Sequence, residues 1–425
     1  MYRNGSDQCT PGTGSLARLL SAAGMAVGAA ALLALLPGQA SAQARPHGMP
    51  HHLPNQDTVW MPPQAQAYKP YSDFEGKITP YHVQGNVWVM EGEPGWSNVV
   101  VQVGHEGVLV VDTGVASMAP QLVAAIKALA DKVNGPYDQA DCDPQSSGRF
   151  CPVTLRHRAI RWIIDTDGLP DHIGGNAIVR LAGKFVVGGN FEFDNPGLTP
   201  GAYVIAHQNV LDYMVQQDPQ THQTMVPQAL WPSQTYTEDM YGLRFDGEAV
   251  LIHYQPHANT DGNSMVMFRS SDVIATGDAL DMRHFPIIDV ARGGTIDGEL
   301  RALNHDILEA VPAHHQNPNE FGTMVVPGHG RVGDQYVLVQ VDDLLTVIRN
   351  RVMYYKDQGK TLEQVLALRP SSDYDERWGP TRGPWTTRDF ITAVYKTLPA
   401  KGPVFSMRTV TLVPSSARVS GGKTY

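Results

Sequence analysis

From Lys77 onward the chain breaks into short, β-branched apolar runs: 78–83, 87–90, 99–103 and 108–111, punctuated by Gly85, Gly95 and Gly107. Runs of this length and composition predict strands. Leu122, Ile126, Leu129 and Val133 then recur on one face at helical spacing, which predicts an amphipathic helix. A strand over 161–164 leads into the polar loop 165–172, and Gly174-Gly175-Asn176 opens a further helix carrying Ile178, Val179 and Leu181. The theme repeats, with strands over 249–253, 264–268 and 273–275, a helix over 297–311 and a last strand over 323–326. Two consecutive sets of strands and helices predict an α/β fold with two sheets packed face to face and helices outside.

Beyond residue 334 the pattern becomes helical. Leu344, Ile348, Val352 and Tyr355 form one stripe over 334–358. Thr361 with Gln364 forms a capping box, and Thr386 with Asp389 marks another helix start ahead of Phe390, Val394 and Leu398. The expected organisation is a leader over 1–42, a Pro/Gln/His-rich linker over 43–75, a main domain over 76–335, a helical extension over 336–400 and a tail over 401–425. No repeat at solenoid spacing is present.

The 425 residues suit one large domain with extensions, and the 42% hydrophobic content supplies its core. A net charge of −10 without any basic cluster argues against nucleic acid. The leader reads as a secretory signal: Arg3 and Arg18, an apolar stretch over 19–36, then Ala40-Ser41-Ala42 as a small-residue cleavage site. An uncleaved anchor is the alternative. Cleavage would leave a periplasmic or secreted protein with no membrane attachment. In that oxidising setting Cys142 and Cys151 are expected to pair, closing a short loop worth roughly 2–3 kcal/mol. Two metal-binding thiolates are the alternative.

Four strand ends each place a polar side chain just past a buried run, where packed sheets build their sites. They carry Asp112, the 165–172 loop, Asp278 and His329. The motifs Val111-Asp112-Thr113-Gly114, Asp171-His172-Ile173-Gly174-Gly175-Asn176, His257-Ala258-Asn259-Thr260-Asp261-Gly262, Thr276-Gly277-Asp278 and Pro327-Gly328-His329-Gly330 stand in the order of five signatures. Together they resemble the metallo-β-lactamase-fold metallohydrolase superfamily over most of 77–335, as a divergent exported member. The resemblance implies a four-layer αββα sandwich of two mixed β-sheets, here with the C-terminal helical extension.

The resemblance also implies two metal sites, of which the first is degraded. Its three ligand places hold Asp167, Leu169 and Asn259, where the family has histidines. The second site is complete, with Asp171, His172 and His329, and Asp278 in the bridging place. Two carboxylates and two imidazoles suit one divalent ion: zinc first, with iron or manganese as alternatives. One subclass of the related β-lactamases works with a single metal, but it uses a cysteine where this chain has Asp278. Asp167, Asn259 and His257 are secondary candidates, His257 as a substitute ligand two residues ahead of Asn259. Asp171 either binds the ion, caps the helix that follows, or does both. Asp112 reads as a hydrogen-bond acceptor beneath the loop, and His284 and His253 as surface or packing residues.

The expected function is hydrolysis of an ester- or amide-type bond in a small-molecule substrate by a single metal-bound hydroxide, with Asp171 orienting the water. The alternative is a catalytically inactive binding protein that keeps the scaffold. A redox role with iron has no support in the chain. Trp231, Tyr236 and Tyr241 either line a groove or pack. Trp378 and Trp385 are placed to cover one side of a cleft.

Overall fold

The computed structural model describes residue 74 and residues 76–92, 96–134, 159–184, 186–187, 191–192, 201–312 and 322–400. Residues 1–42, most of the 43–75 linker, both Cys142 and Cys151, and the 401–425 tail lie outside them. Among the described residues, no helix is long and apolar enough to cross a membrane.

In chain order the elements are β1 (Thr79–Gln84), β2 (Val87–Glu91), β3 (Val99–Gly104), β4 (Gly107–Val111), α1 (Ala119–Asn134), β5 (Ile160–Ile164), α2 (Pro170–Ile173) and α3 (Asn176–Ala182). They continue with β6 (Val186–Val187), β7 (Phe191–Glu192), β8 (Tyr203–His207), α4 (Gln208–Met214), β9 (Gln234–Tyr236), β10 (Met240–Phe245), β11 (Glu248–Gln255), β12 (Asn263–Phe268) and β13 (Val273–Ala275). The last are α5 (Ile296–Glu309), β14 (Met324–Val326), α6 (Gln335–Asp357), α7 (Leu362–Ala367), α8 (Asp375–Trp378) and α9 (Thr387–Thr397). One large sheet has seven strands in the order β1-β2-β3-β4-β5-β8-β9, the second has five in the order β10-β11-β12-β13-β14, and β6 and β7 pair on their own. Both large sheets are mixed: β4/β5, β5/β8, β8/β9 and β13/β14 are parallel, and the other pairs are antiparallel.

The period of two along each strand sorts the core into layers. In β4, Leu109 and Val111 face the second sheet, while Val108 and Val110 face α1. In β12, Val266 and Phe268 point to the first sheet, and Met265 and Met267 point to the helices beyond. Strands covered on both faces read as continuous apolar runs, and β3, β4 and β12 are buried throughout. Helices α1 and α3 cover the first sheet, and α5, α6 and α9 cover the second. The result is the expected αββα sandwich.

Several expectations shift in detail. On α1 the buried face is Leu122, Ile126, Leu129 and Ala130, and Val133 is exposed near the helix end. On α3 only Val179 of the three apolar residues turns inward; Ile178 and Leu181 face solvent, because seven residues present one narrow face to α1 and β5. Strands β8, β9 and β10 and helix α4 lie in a stretch where the pattern predicts no element. Both capping boxes are present, at Thr361/Gln364 and Thr386/Asp389.

Parallel pairing brings the strand ends together. Val111 is in register with Ile164, and Ala275 with Val326. Asp112 N donates to Ile164 O at 2.9 Å, and Thr276 N donates to Val326 O at 3.0 Å. Bonds across the sheets close the same edge, from Ser264 N to Thr166 O at 2.8 Å and from Asn98 N to Gly328 O at 2.8 Å.

Candidate metal centre

Four side chains meet at that shared edge. His172 Nε2 lies 3.0 Å from Asp278 Oδ1. His329 Nε2 lies 3.2 Å from the same oxygen and 3.3 Å from Asp171 Oδ2. Ligand atoms of Asp171, His172 and His329 fall within 4.8 Å of one another, and so do those of Asp167, His172 and Asp278. All are buried, with exposures of 0% for His172 and Asp167, 1% for His329, 2% for Asp171 and 3% for Asp278. Water therefore does little to screen these charges.

Local structure accounts for each position. Leu169 is the N-cap of α2 and Pro170 opens it; no side chain caps the helix. Asp171 instead sits in the first turn and turns its Oδ2 toward His329. The Ser97 hydroxyl donates to the Asp171 carbonyl and pins the turn. Asp112 stands at φ 61, a left-handed conformation that Asp tolerates better than most residues. Its Oδ1 accepts from Thr166 N at 2.8 Å, and its Oδ2 accepts from Thr166 Oγ1 at 2.7 Å. His172 Nδ1 donates to Asp112 Oδ2 at 2.8 Å. That bond fixes the ring and leaves Nε2 directed at Asp278, the arrangement in which a carboxylate supports a ligating histidine.

The electrostatics are those of a cation site. Burial opposes charge on His172, yet Asp167, Asp278 and Asp112 outweigh it and push its pKa well above the usual histidine value. Burial and Arg283 pull His329 down, but Asp278 and Asp171 raise it to about 9. Asp278 is buried too, and the two imidazoles hold its carboxyl well below the ordinary range. Two protonated imidazoles among carboxylates carry the charge that one divalent ion would carry, and binding an ion releases such protons. The residues fit an ion in a second respect. His172 Nε2 and Asp278 Oδ1 are buried and make no hydrogen bond of good geometry despite their closeness. The space beside them is kept open by Gly328, where an added Cβ would lie 2.5 Å from Asp278 Oδ1.

The first-site positions are arranged differently. Asn259 Nδ2 lies 3.4 Å from Asp167 Oδ2 and 3.3 Å from Asp278 Oδ2, so one amide spans two carboxylates. Asp167 Oδ1 accepts from Leu169 N at 2.7 Å. Burial raises the Asp167 pKa to about 7, with His172 opposing the rise. His257 is half-exposed at φ 59 and pairs with Asp261 at 2.9 Å; it does not join the group. Its left-handed backbone turns the ring outward, which accounts for its absence from the ligand set.

The neighbours divide between the expected alternatives. His284 takes the packing one: it is fully buried beside the centre, 3.3 Å from Asp281 Oδ2. His253 is half-buried and tilted against His305 at 4.9 Å. Tyr236 is buried in the inter-sheet core, its hydroxyl 2.6 Å from Ser264 Oγ, and Trp231 packs with its Nε1 donating to Val226 O at 2.9 Å. Trp378 is buried in the outer helical core, and Trp385 Nε1 donates to Phe285 O at 3.2 Å.

Asp112→Asn keeps the backbone conformation but removes the charge that holds His172. Metal affinity should fall by roughly 10–100-fold, measured by competition with a chromophoric chelator. Unchanged affinity would show that His172 is held in place by packing alone.

No family model matches the sequence, and no curated protein matches it closely. Solved structures do resemble it. A metallo-beta-lactamase from Pontibacter korlensis is 15% identical, with 64% of this chain and 99% of that one covered and a TM-score of 0.41. The stereoselective inverting sec-alkylsulfatase Pisa1 from Pseudomonas sp. is 13% identical over 77% of this chain and 51% of that one, with a TM-score of 0.49. DIM-1 metallo-beta-lactamase is 14% identical over 64% of this chain and 97% of that one, with a TM-score of 0.39. The fold is argued by the chain's own strand order, its layers and its motif positions at one sheet edge. On those grounds the chain is an αββα sandwich that carries the motif order of the metallo-β-lactamase fold along one sheet edge.

Proposed function

We propose that this protein is an exported hydrolase that uses one divalent metal ion to cleave an ester- or amide-type bond in a small molecule. The observation that carries the reading is the convergence of Asp171, His172, Asp278 and His329 beside an amide that occupies the neighbouring pocket. Asn259 donates to Asp167 and Asp278, the two carboxylates a first ion would need. A neutral amide there satisfies their lone pairs without a cation. Export rests on the leader pattern of residues 1–42.

Asp171, His172, Asp278 and His329 would hold the ion. When bound, such an ion lowers the pKa of a coordinated water and polarises a substrate oxygen. The protein does the rest. Asp171 Oδ2 orients the attacking water and accepts its proton. Asp112 and Thr166 keep the His172 ring fixed. Burial of the whole group excludes bulk water, so the fixed charges act at close to full strength.

Protein purified without chelator should contain about one metal equivalent per chain. Chelation should remove the metal, lower the thermal midpoint and abolish turnover of chromogenic esters or lactams. If the protein carries no metal and its stability is indifferent to chelator, a catalytically inactive binding protein replaces this reading.

A further inference from the structure

A second set of charged side chains adjoins the metal centre and takes no part in holding the ion. Asp281 forms a backbone bridge with His329, and Met282 N donates to His329 O at 3.0 Å. The next residue, Arg283, is 4% exposed and pairs with Asp281 through Nη2 at 3.1 Å. Asp281 also accepts from Arg283 N at 2.7 Å and lies near His284 Nε2 at 3.3 Å, so its oxygens are engaged.

Two more guanidinium groups reach the same place from different parts of the chain. Arg331 follows His329 by two residues. The intervening Gly330 packs so tightly that an added Cβ would lie 2.9 Å from Met282 Cβ and 3.4 Å from Arg283 Cγ. Arg377 comes from α8, in the C-terminal helices. Its Nη2 donates to Met282 O at 2.6 Å, and its guanidinium stacks 4.1 Å over the Trp378 ring.

Arg331 Nε and Arg377 Nη1 are buried and have no hydrogen-bond partner. Such donors are costly to leave unmet, more so when they are charged. Burial pulls the Arg377 pKa to about 10; Asp281 opposes the fall, and the Arg331 charge adds to it. Asp281 is engaged by Arg283, and Arg377 Nη2 is engaged by Met282 O, so neither contact meets Arg331 Nε or Arg377 Nη1.

The geometry points to an oxyanion-binding subsite beside the metal centre, formed by Arg331 and Arg377 with Arg283 behind them, that takes a carboxylate, sulfate or phosphate group. Planar guanidiniums with free N–H groups match such oxyanions, singly or as a pair. Both Arg331 and Arg377 are partly exposed, so an anion can reach them from solvent. If the hydrolase reading holds, this group belongs to the substrate and orients its scissile bond toward Asp171. The C-terminal helices then complete the substrate site through Arg377.

The test is calorimetric titration of the full chain with sodium sulfate, inorganic phosphate and sodium acetate, balanced with chloride at constant ionic strength. Wild type should bind at least one of them saturably, and the three arms tell which oxyanion fits. Arg331→Gln and Arg377→Gln should each weaken that binding by about 10-fold or more. Arg377 also holds Met282 and Trp378, so Arg331→Gln provides the reading if Arg377→Gln does not fold. His172→Ala should keep the anion site, because the guanidiniums do not depend on the ion. The proposal is overturned by an absence of saturable binding, by equal affinity in Arg331→Gln, or by binding lost in His172→Ala but kept in the arginine variants. A protein without metal that still binds oxyanions through these arginines would sink the hydrolase reading and leave the subsite standing.

Discussion

Replacing His172 with alanine should abolish metal binding and hydrolysis together. The imidazole touches both Asp112 and Asp278, at 2.8 and 3.0 Å. Its loss removes a ligand and takes one imidazole away from two buried carboxylates. The drop in metal affinity should far exceed the roughly 10–100-fold that follows loss of a supporting hydrogen bond. Stability should fall as well, because breaking a buried charge pair costs about 3–5 kcal/mol. Metal content by elemental analysis and a urea titration of the same sample read both effects. A variant that keeps its full metal complement would remove His172 from the site and end the four-ligand proposal.

Phe390→Ala should produce the largest loss of stability without touching the centre. Phe390 on α9 is fully buried and stacks on Phe285, with ring centroids 4.5 Å apart and planes 8° from parallel. Phe285 N donates to Trp378 O at 2.7 Å, so this contact ties the C-terminal helices to the segment carrying Asp281, Arg283 and His284. Truncating a buried phenylalanine costs about 3–5 kcal/mol through lost contacts and the cavity left behind. A urea midpoint lowered by that amount, with metal content unchanged, is the expected outcome. A loss under about 1 kcal/mol would mean that the helices after residue 335 only rest on the sandwich.

Much of the centre is readable from the chain because its residues lie beside the signals that end strands. Val108–Val111 leads to Asp112, Val273–Ala275 to Asp278 and Met324–Val326 to His329, so each side chain is placed by an apolar run and a following glycine turn. The 165–172 loop is similar, and the pairing of Asp112 with His172 follows from the adjacency of β4 and β5. By contrast, Arg283, Arg331 and Arg377 come from three separate segments. The His329 bridge joins the first two segments, and Arg377 arrives because Phe285 and Trp378 dock the C-terminal helices against the strand-end loops. The unpredicted strands had uneven signals. Tyr241, Leu243 and Phe245 of β10 alternate inward against the more exposed Met240, Gly242 and Arg244, a period of two present in the sequence. Gln234–Tyr236 is too short to carry any period.

Apolar periodicity and turn residues by themselves determined most of the strands, the helices outside them and which polar residues stand at the strand ends, because those features depend on neighbours a few residues apart; the acid–imidazole set came from the motif resemblance. Tertiary packing alone decided that the Asn259 amide lies between Asp167 and Asp278, that His257 turns outward, and that three arginines gather beside His329. Each of those outcomes depends on distances between chain segments far apart in sequence, and local patterning carries no record of such distances.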